Sequence, residues 1–247
     1  MNFIDMHIHL QDYKANCATD IVVAAREGGI CRFVCASTSE KDWLEVAALA
    51  EKYPHTVVPA FGIHPWYAGD AATGWQIRLR EQLLAFPTAL VGESGLDGLR
   101  EGMPVQAEVF AEELALAKEL KRPFVIHAVK AVPELEEFWG QMPERFMVHS
   151  FNGHPDHLRP ILKNGGYVSF SASILRNRNG AEIVRMVPAD RLLLETDGPY
   201  QGSQKGLEQT PLFLPRLLMR IADWRQQDPA ELAAMVLSAS EEFIDGK

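Results

Sequence analysis

His7 and His9 stand one residue apart in Phe3-Ile4-Asp5-Met6-His7-Ile8-His9, at the end of the first predicted strand. Alternate residues of a strand share a face and lie roughly 6.5–7 Å apart, so both imidazoles can turn toward one ion. The pair alone equally describes two hydrogen-bonded strand histidines. More acid and imidazole groups recur downstream: Glu93 in Val91-Gly92-Glu93-Ser94-Gly95-Leu96-Asp97, His127 after Phe124-Val125-Ile126, His149 after Phe146-Met147-Val148, and Asp197 closing Leu192-Leu193-Leu194-Glu195-Thr196-Asp197. A carboxylate leaving a buried apolar strand needs a cation or several donors to offset its desolvation. Imidazoles and carboxylates suit zinc, manganese, magnesium and similar divalent ions, and this set exceeds what one ion requires. Two divalent ions about 3.5–4 Å apart, bridged by a carboxylate and a hydroxide, form a familiar hydrolytic arrangement. The hydroxide attacks and a nearby carboxylate guides its proton, so the chemistry implied is metal-dependent hydrolysis.

Something must bring these distant residues together. Short apolar runs, rich in Val, Ile, Phe and Leu, predict strands at 3–8, 32–36, 57–63, 89–92, 123–127, 146–149, 167–170 and 191–195. Such runs fit strands buried on both faces. Helical patterns lie between them. Trp43, Val46, Ala47 and Ala50 repeat at i, i+3, i+4, i+7 and mark one apolar stripe. Pro104 fits the first turn of a helix with Phe110, Leu114 and Ala117 inside, and Asp228-Pro229 reads as an N-cap followed by proline at N1. Strands alternating with crossover helices indicate a single α/β (β/α)₈ TIM-type barrel over residues 1–247, whose reactive groups gather at the carboxyl ends of the strands. The candidates fall there, His64 after the third strand among them. An open doubly wound sheet would instead spread those ends along a line.

The 24 Lys and Arg against 33 Asp and Glu give a formal charge of −9, which repels nucleic acid at long range and disfavours it as a partner. A phosphate-bearing substrate must then be held by local features such as bound cations. Cys17, Cys31 and Cys35 form no CxxC and are expected to be small buried thiols of a reducing compartment. The early first strand leaves no room for a signal peptide, and no uncharged apolar run approaches the ~20 residues of a membrane span. A cytoplasmic protein with no membrane partner is expected. His55 is expected in an exposed turn, and His154 and His157 at a helix start in capping or solvent contact. Glu195 and Asp5 are expected to orient ligands from beneath, and Glu241-Glu242 to form a solvated helix face.

Six ordered blocks carry a resemblance over nearly the whole chain: His7-Ile8-His9, Gly62-Ile63-His64-Pro65, Gly92-Glu93-Ser94-Gly95-Leu96-Asp97, Ile126-His127, His149-Ser150-Phe151-Asn152-Gly153 and Glu195-Thr196-Asp197-Gly198-Pro199-Tyr200. In these the chain resembles the TatD family of metal-dependent hydrolases, a branch of the amidohydrolase superfamily with many deoxyribonucleases. The resemblance implies two divalent ions, one on His7, His9 and Asp197, the other on His127 and His149, with Glu93 bridging. It also implies Asp197 as general base and His64 facing the scissile group or a phosphate oxygen. Two departures bear on substrate. Where the family commonly has an arginine after the fifth-strand histidine, this chain has Val129, with Lys130 adjacent. In Lys205-Gly206-Leu207-Glu208-Gln209-Thr210-Pro211 an expected arginine becomes Glu208. Arginine is the usual bidentate clamp for phosphate. The leading expectation is therefore cleavage of a phosphodiester, and the alternative a small amide, lactone or ester on the same metals. A non-catalytic barrel that keeps ions for stability is the third reading. Trp66 is expected to offer a stacking face or a buried aromatic at a loop base.

Overall fold

The computed structural model describes residues 1–14, 17–202 and 207–246. Its strands are β1 (Phe3–Ile8), β2 (Ile30–Ala36), β3 (Val57–Phe61), β4 (Leu90–Asp97), β5 (Phe124–Val129), β6 (Phe146–Val148), β7 (Tyr167–Phe170) and β8 (Leu192–Leu194). They pair in parallel, in sequence order, as one eight-stranded sheet. The sheet curls until its ends meet: Ile8 bridges Gly198, Asp197 N donates to His7 O at 2.9 Å, and His9 N donates to Gly198 O at 2.7 Å. The outer layer holds α1 (Ala18–Glu27), α2 (Trp43–Lys52), α3 (Trp75–Ala85), α4 (Met103–Glu119), α5 (Pro155–Lys163), α6 (Gly180–Met186), α7 (Leu214–Arg225) and α8 (Pro229–Asp245). This is the (β/α)₈ barrel that the alternation of patterns predicts. One connection departs from the expected crossover helix: between β5 and β6 the chain forms a 3-10 run, Pro133–Gln141, which still buries Leu135 and Phe138.

Two apolar layers hold the barrel. Between sheet and helices lie residues such as Phe33, Phe61, Phe110 and Leu218. The lumen is filled by Ile4, Met6, Val34, Ala36, Val58, Ala60, Leu90, Val125, Met147, Tyr167 and Leu193, closed below by Ala239, Phe243 and Ile244 of α8. Asp228 caps α8 through its Oδ1, which accepts from Ala230 N at 2.8 Å and Glu231 N at 3.0 Å. Arg145 Nη1 holds the other end of α8 by donating to the carbonyls of Phe243 (2.8 Å) and Ile244 (2.9 Å).

Strand alternation aims most of the candidate residues. His127 lies two residues beyond Val125, and His149 two beyond Met147, both lumen residues, so regular pleating points their side chains up the same channel. In β1 that parity fails. Ile4 and Met6 belong to the lumen but Ile8 packs in the outer layer, and the register against β2 shifts between Asp5 and Ile8. The irregularity turns His7 and His9 inward. A second shift, between Val91 and Ser94 of β4, does the same for Glu93. Gly95 permits the close approach that follows: its φ is +157°, and a Cβ there would stand 2.0 Å from His127 O.

The thiol expectation holds only in part. All three cysteines are unpaired, but Cys17 and Cys31 are exposed and Cys35 alone is buried. Cys17 precedes α1 outside the barrel wall, and Cys31 sits near the start of β2, before the strand enters the core. No helix among the described residues is long and apolar enough to cross a membrane.

Candidate metal centre

At the carboxyl ends of the strands, His7, His9, His64, Glu93, His127, His149 and Asp197 come together, with all but Asp197 buried and Asp197 nearly so. Glu93 is the hub, and its two oxygens face different partners. Oε2 lies 3.2 Å from His7 Nε2 and 3.5 Å from His9 Nε2. Oε1 lies 2.8 Å from His127 Nδ1, 2.8 Å from His149 Nε2 and 3.4 Å from His64 Nε2. Asp197 Oδ1 completes the first side, 3.4 Å from His9 Nε2 and 3.8 Å from His7 Nε2. Three overlapping sets offer ligand atoms within 4.8 Å of one another: His7, His9 and Asp197; His7, Glu93 and His149; His64, Glu93 and His127.

The donor chemistry fits a divalent cation. His9 Nδ1 meets Ala36 O at 2.9 Å, His149 Nδ1 meets Glu195 Oε1 at 3.3 Å, and His127 Nε2 stands 3.6 Å from Asp97 Oδ2. The acceptors behind His9 and His149 hold the N–H outward and leave the inner lone pair free for a metal, while Asp97 stands near His127 without a direct bond. The inner nitrogens crowd each other, His7 Nε2 to His9 Nε2 at 3.2 Å and His149 Nε2 to His127 Nδ1 at 3.3 Å. Two lone pairs at that distance need a cation, or a shared proton, between them.

Electrostatics say the same. Burial works against the charge of Glu93, but the imidazoles of His149, His64 and His7 outweigh it and hold the carboxyl well below its ordinary range. Burial likewise disfavours charge on His149, yet Glu93 and Glu195 push it well above the usual value. Burial is overcome at His9 by Asp197 and Glu93, which lift it to about 9. The carboxylates thus favour positive charge at this centre, as a divalent ion would supply. His7 and His64 go the other way, both lowered chiefly by burial.

Beneath these groups lies a layer of buried carboxyls, each joined to a hydroxyl. Asp5 pairs with Thr196 Oγ1 at 2.5 Å and Thr196 N at 2.9 Å. Glu195 pairs with Ser169 Oγ, and Glu113 of α4 with Ser94 Oγ and, at 2.6 Å, Ile63 N. Glu195 thereby orients His149 as expected. Asp5 does not orient the His7 ring: it reaches only the His7 backbone N, at 3.4 Å, and chiefly ties the start of the barrel to the turn bearing Asp197.

Sequence reasoning missed three contributors. Asp97, behind His127, is buried, yet the nearby His127 ring and the hydrogen bond from Trp66 outweigh that and hold it below its ordinary value. It lies four residues after Glu93, on the same face of β4, a spacing that signals it. Gln201 donates from Nε2 to Asp197 Oδ2 at 2.5 Å. Glu113 bonds the residues just before His64 and just after Glu93. Nothing local marks Glu113, which acts across the fold, whereas Gln201 lies four residues after Asp197 on the same turn. Trp66 is half exposed at the rim, a surface aromatic, not a buried one. His55 is exposed, and His154 Nδ1 accepts from Asp156 N at 3.3 Å at the start of α5. Glu241 is exposed and Glu242 partly so. Val129 is half-buried, Glu208 Oε1 accepts from Lys14 N at 2.8 Å, and Lys205 and Gly206 lie outside the described residues.

Known proteins are similar to this chain. The family model described as TatD related DNase matches residues 4–245. The 3'-5' ssDNA/RNA exonuclease TatD of Edwardsiella piscicida is 32% identical over 229 residues, covering 84% of this chain and 85% of that one. Its namesake from Rahnella sp. is 30% identical over 228 residues, covering 86% of each. The crystal structure of a TatD homologue from Escherichia coli K12 superposes with a TM-score of 0.91 at 23% identity, covering 98% of both chains, which speaks for the fold. A family match along almost the entire length, joined to curated relatives of that similarity, makes this chain a member of the TatD-related DNase family of metal-dependent hydrolases.

Proposed function

We propose that this enzyme hydrolyses phosphodiester bonds with two divalent ions. The carrying observation is the division of Glu93, whose Oε2 serves His7 and His9 while Oε1 serves His127 and His149. His7, His9 and Asp197 would hold one ion, His127 and His149 the other, with Glu93 between them. Bound there, the ions neutralise charge on phosphoryl oxygens and ease the ionisation of water at neutral pH. Asp197 takes up the proton of the attacking water. Gln201 binds its Oδ2, which leaves Oδ1 turned toward the centre. His64 Nδ1 accepts from Trp66 N at 3.1 Å, so its proton resides on Nε2, directed toward Glu93 and the space above it. Burial keeps that ring neutral. A neutral N–H donor there orients a phosphoryl oxygen without adding charge. The ssDNA/RNA exonuclease names of the relatives point to the same bond.

Elemental analysis of purified protein, joined to assays on single-stranded DNA and bis-p-nitrophenyl phosphate, tests the reading. Two equivalents of metal with turnover on both substrates are expected; metal uptake with no phosphodiester cleavage would overturn it. A second reading, hydrolysis of a small ester, lactone or amide, draws on half-buried Val129 and on Glu208. Turnover on a lactone panel without any on DNA would select it.

A further inference from the structure

Trp66 keeps 51% of its surface exposed at the rim of the mouth, yet its indole is fixed. Nε1 donates to Asp97 Oδ2 at 2.6 Å, and the same oxygen stands 3.6 Å from His127 Nε2. The ring centroids of Trp66 and His64 are 5.1 Å apart. Over the indole lies the exposed guanidinium of Arg100, 4.1 Å from the ring centroid. The turn that carries Arg100 is itself tied down. Leu99 N donates to Asp97 Oδ1 at 2.8 Å, Arg100 N to Asp97 O at 3.1 Å, and Asp97 N to Gln106 Oε1 at 2.8 Å. Among the described residues Arg100 has no ion-pair partner.

A guanidinium over an aromatic ring needs no carboxylate partner to hold it and keeps N–H groups available, in a fork that matches phosphate oxygens. On a chain of net charge −9, an unpaired and pre-oriented cation beside a buried anionic centre is placed for an anion. The indole and the Asp97 carboxylate stand between Arg100 and the Glu93 cluster. With the Trp66–Asp97–His127 contacts lying between them, its fork is suited not to the phosphoryl group over Glu93 but to the next anionic group of a strand leaving the mouth. We propose that Arg100, held by Trp66 and Asp97, grips the phosphate adjacent to the scissile one and so selects substrates with consecutive phosphates. The inference rests on the phosphodiesterase reading and adds the residue that recognises the polymer.

The test is fluorescence anisotropy with a fluorescein-labelled, phosphorothioate-linked tetranucleotide across a salt series. Arg100→Ala is expected to weaken binding about tenfold and to flatten the salt dependence by about one charge. Arg100→Lys keeps the charge but neither the planar group nor the fork, so it should retain the salt slope and lose part of the affinity. Trp66→Phe, which loses the bond to Asp97, should weaken binding severalfold. Lys118→Ala, which removes a like charge from the far end of α4, controls for net charge and should bind as the parent does. Arg100→Ala binding as tightly as Lys118→Ala would overturn the inference. Hydrolysis of bis-p-nitrophenyl phosphate by the parent is scored separately: its absence counts against the phosphodiesterase reading, whereas unchanged anisotropy counts against Arg100.

Discussion

Asp197 and Glu113 show how differently two buried carboxyls can serve one centre. Asp197 is lowered despite its burial, because His9 and His7 outweigh the desolvation, so it is ionised and able to accept a proton. Asp197→Asn keeps the shape and the Gln201 contact but removes the proposed base. Turnover should fall by roughly 10²–10⁴-fold while the circular dichroism spectrum stays that of the parent; near-parental turnover would take Asp197 out of the chemistry. Glu113 faces no cation, and burial lifts it from 4.5 to about 8. Between those two values the unfolded chain has released this proton and the folded chain has kept it. The group's contribution to stability therefore falls as pH rises from about 4.5 to about 8, and is level above that. Glu113→Gln cannot ionise, so urea denaturation of the chelated proteins should show the variant gaining on the parent across that window. Parallel curves would mean that Glu113 is already ionised in the folded state.

Elements explain why some of the centre could be read from the chain and some could not. His127 and His149 follow Val125 and Met147 at strand spacing, so simple alternation aims them correctly. His7, His9 and Glu93 reach the lumen only because β1 and β4 slip register, and a slip leaves no periodic mark beyond the glycines around Glu93. Strand ends were similarly blurred: β4 runs on to Asp97, while β6 and β8 stop at Val148 and Leu194, just short of His149 and Glu195. The start of α8 was legible, because a cap is a local bond. Asp228 is such a cap, accepting two backbone N–H groups of α8. Asp228→Ala should cost about 1 kcal/mol in chemical denaturation with turnover unaltered, and a loss near zero would deny the cap its role.

For the whole molecule, the crowding of anionic and imidazole groups predicts that bound metal stabilises the fold. Stripping metal with a chelator should lower Tm by roughly 2–4 °C for each kcal/mol of binding free energy lost, and added metal should restore it. A Tm indifferent to chelation would show that the barrel does not depend on the ions. The helix α8 adds a further consequence. With the lumen packed by strand side chains and Phe243 and Ile244 beneath them, the described residues leave the cup no opening through its floor. Under the phosphodiesterase reading, a polymer would not thread through the barrel like a bead, and spent and fresh substrate would take turns at one threshold.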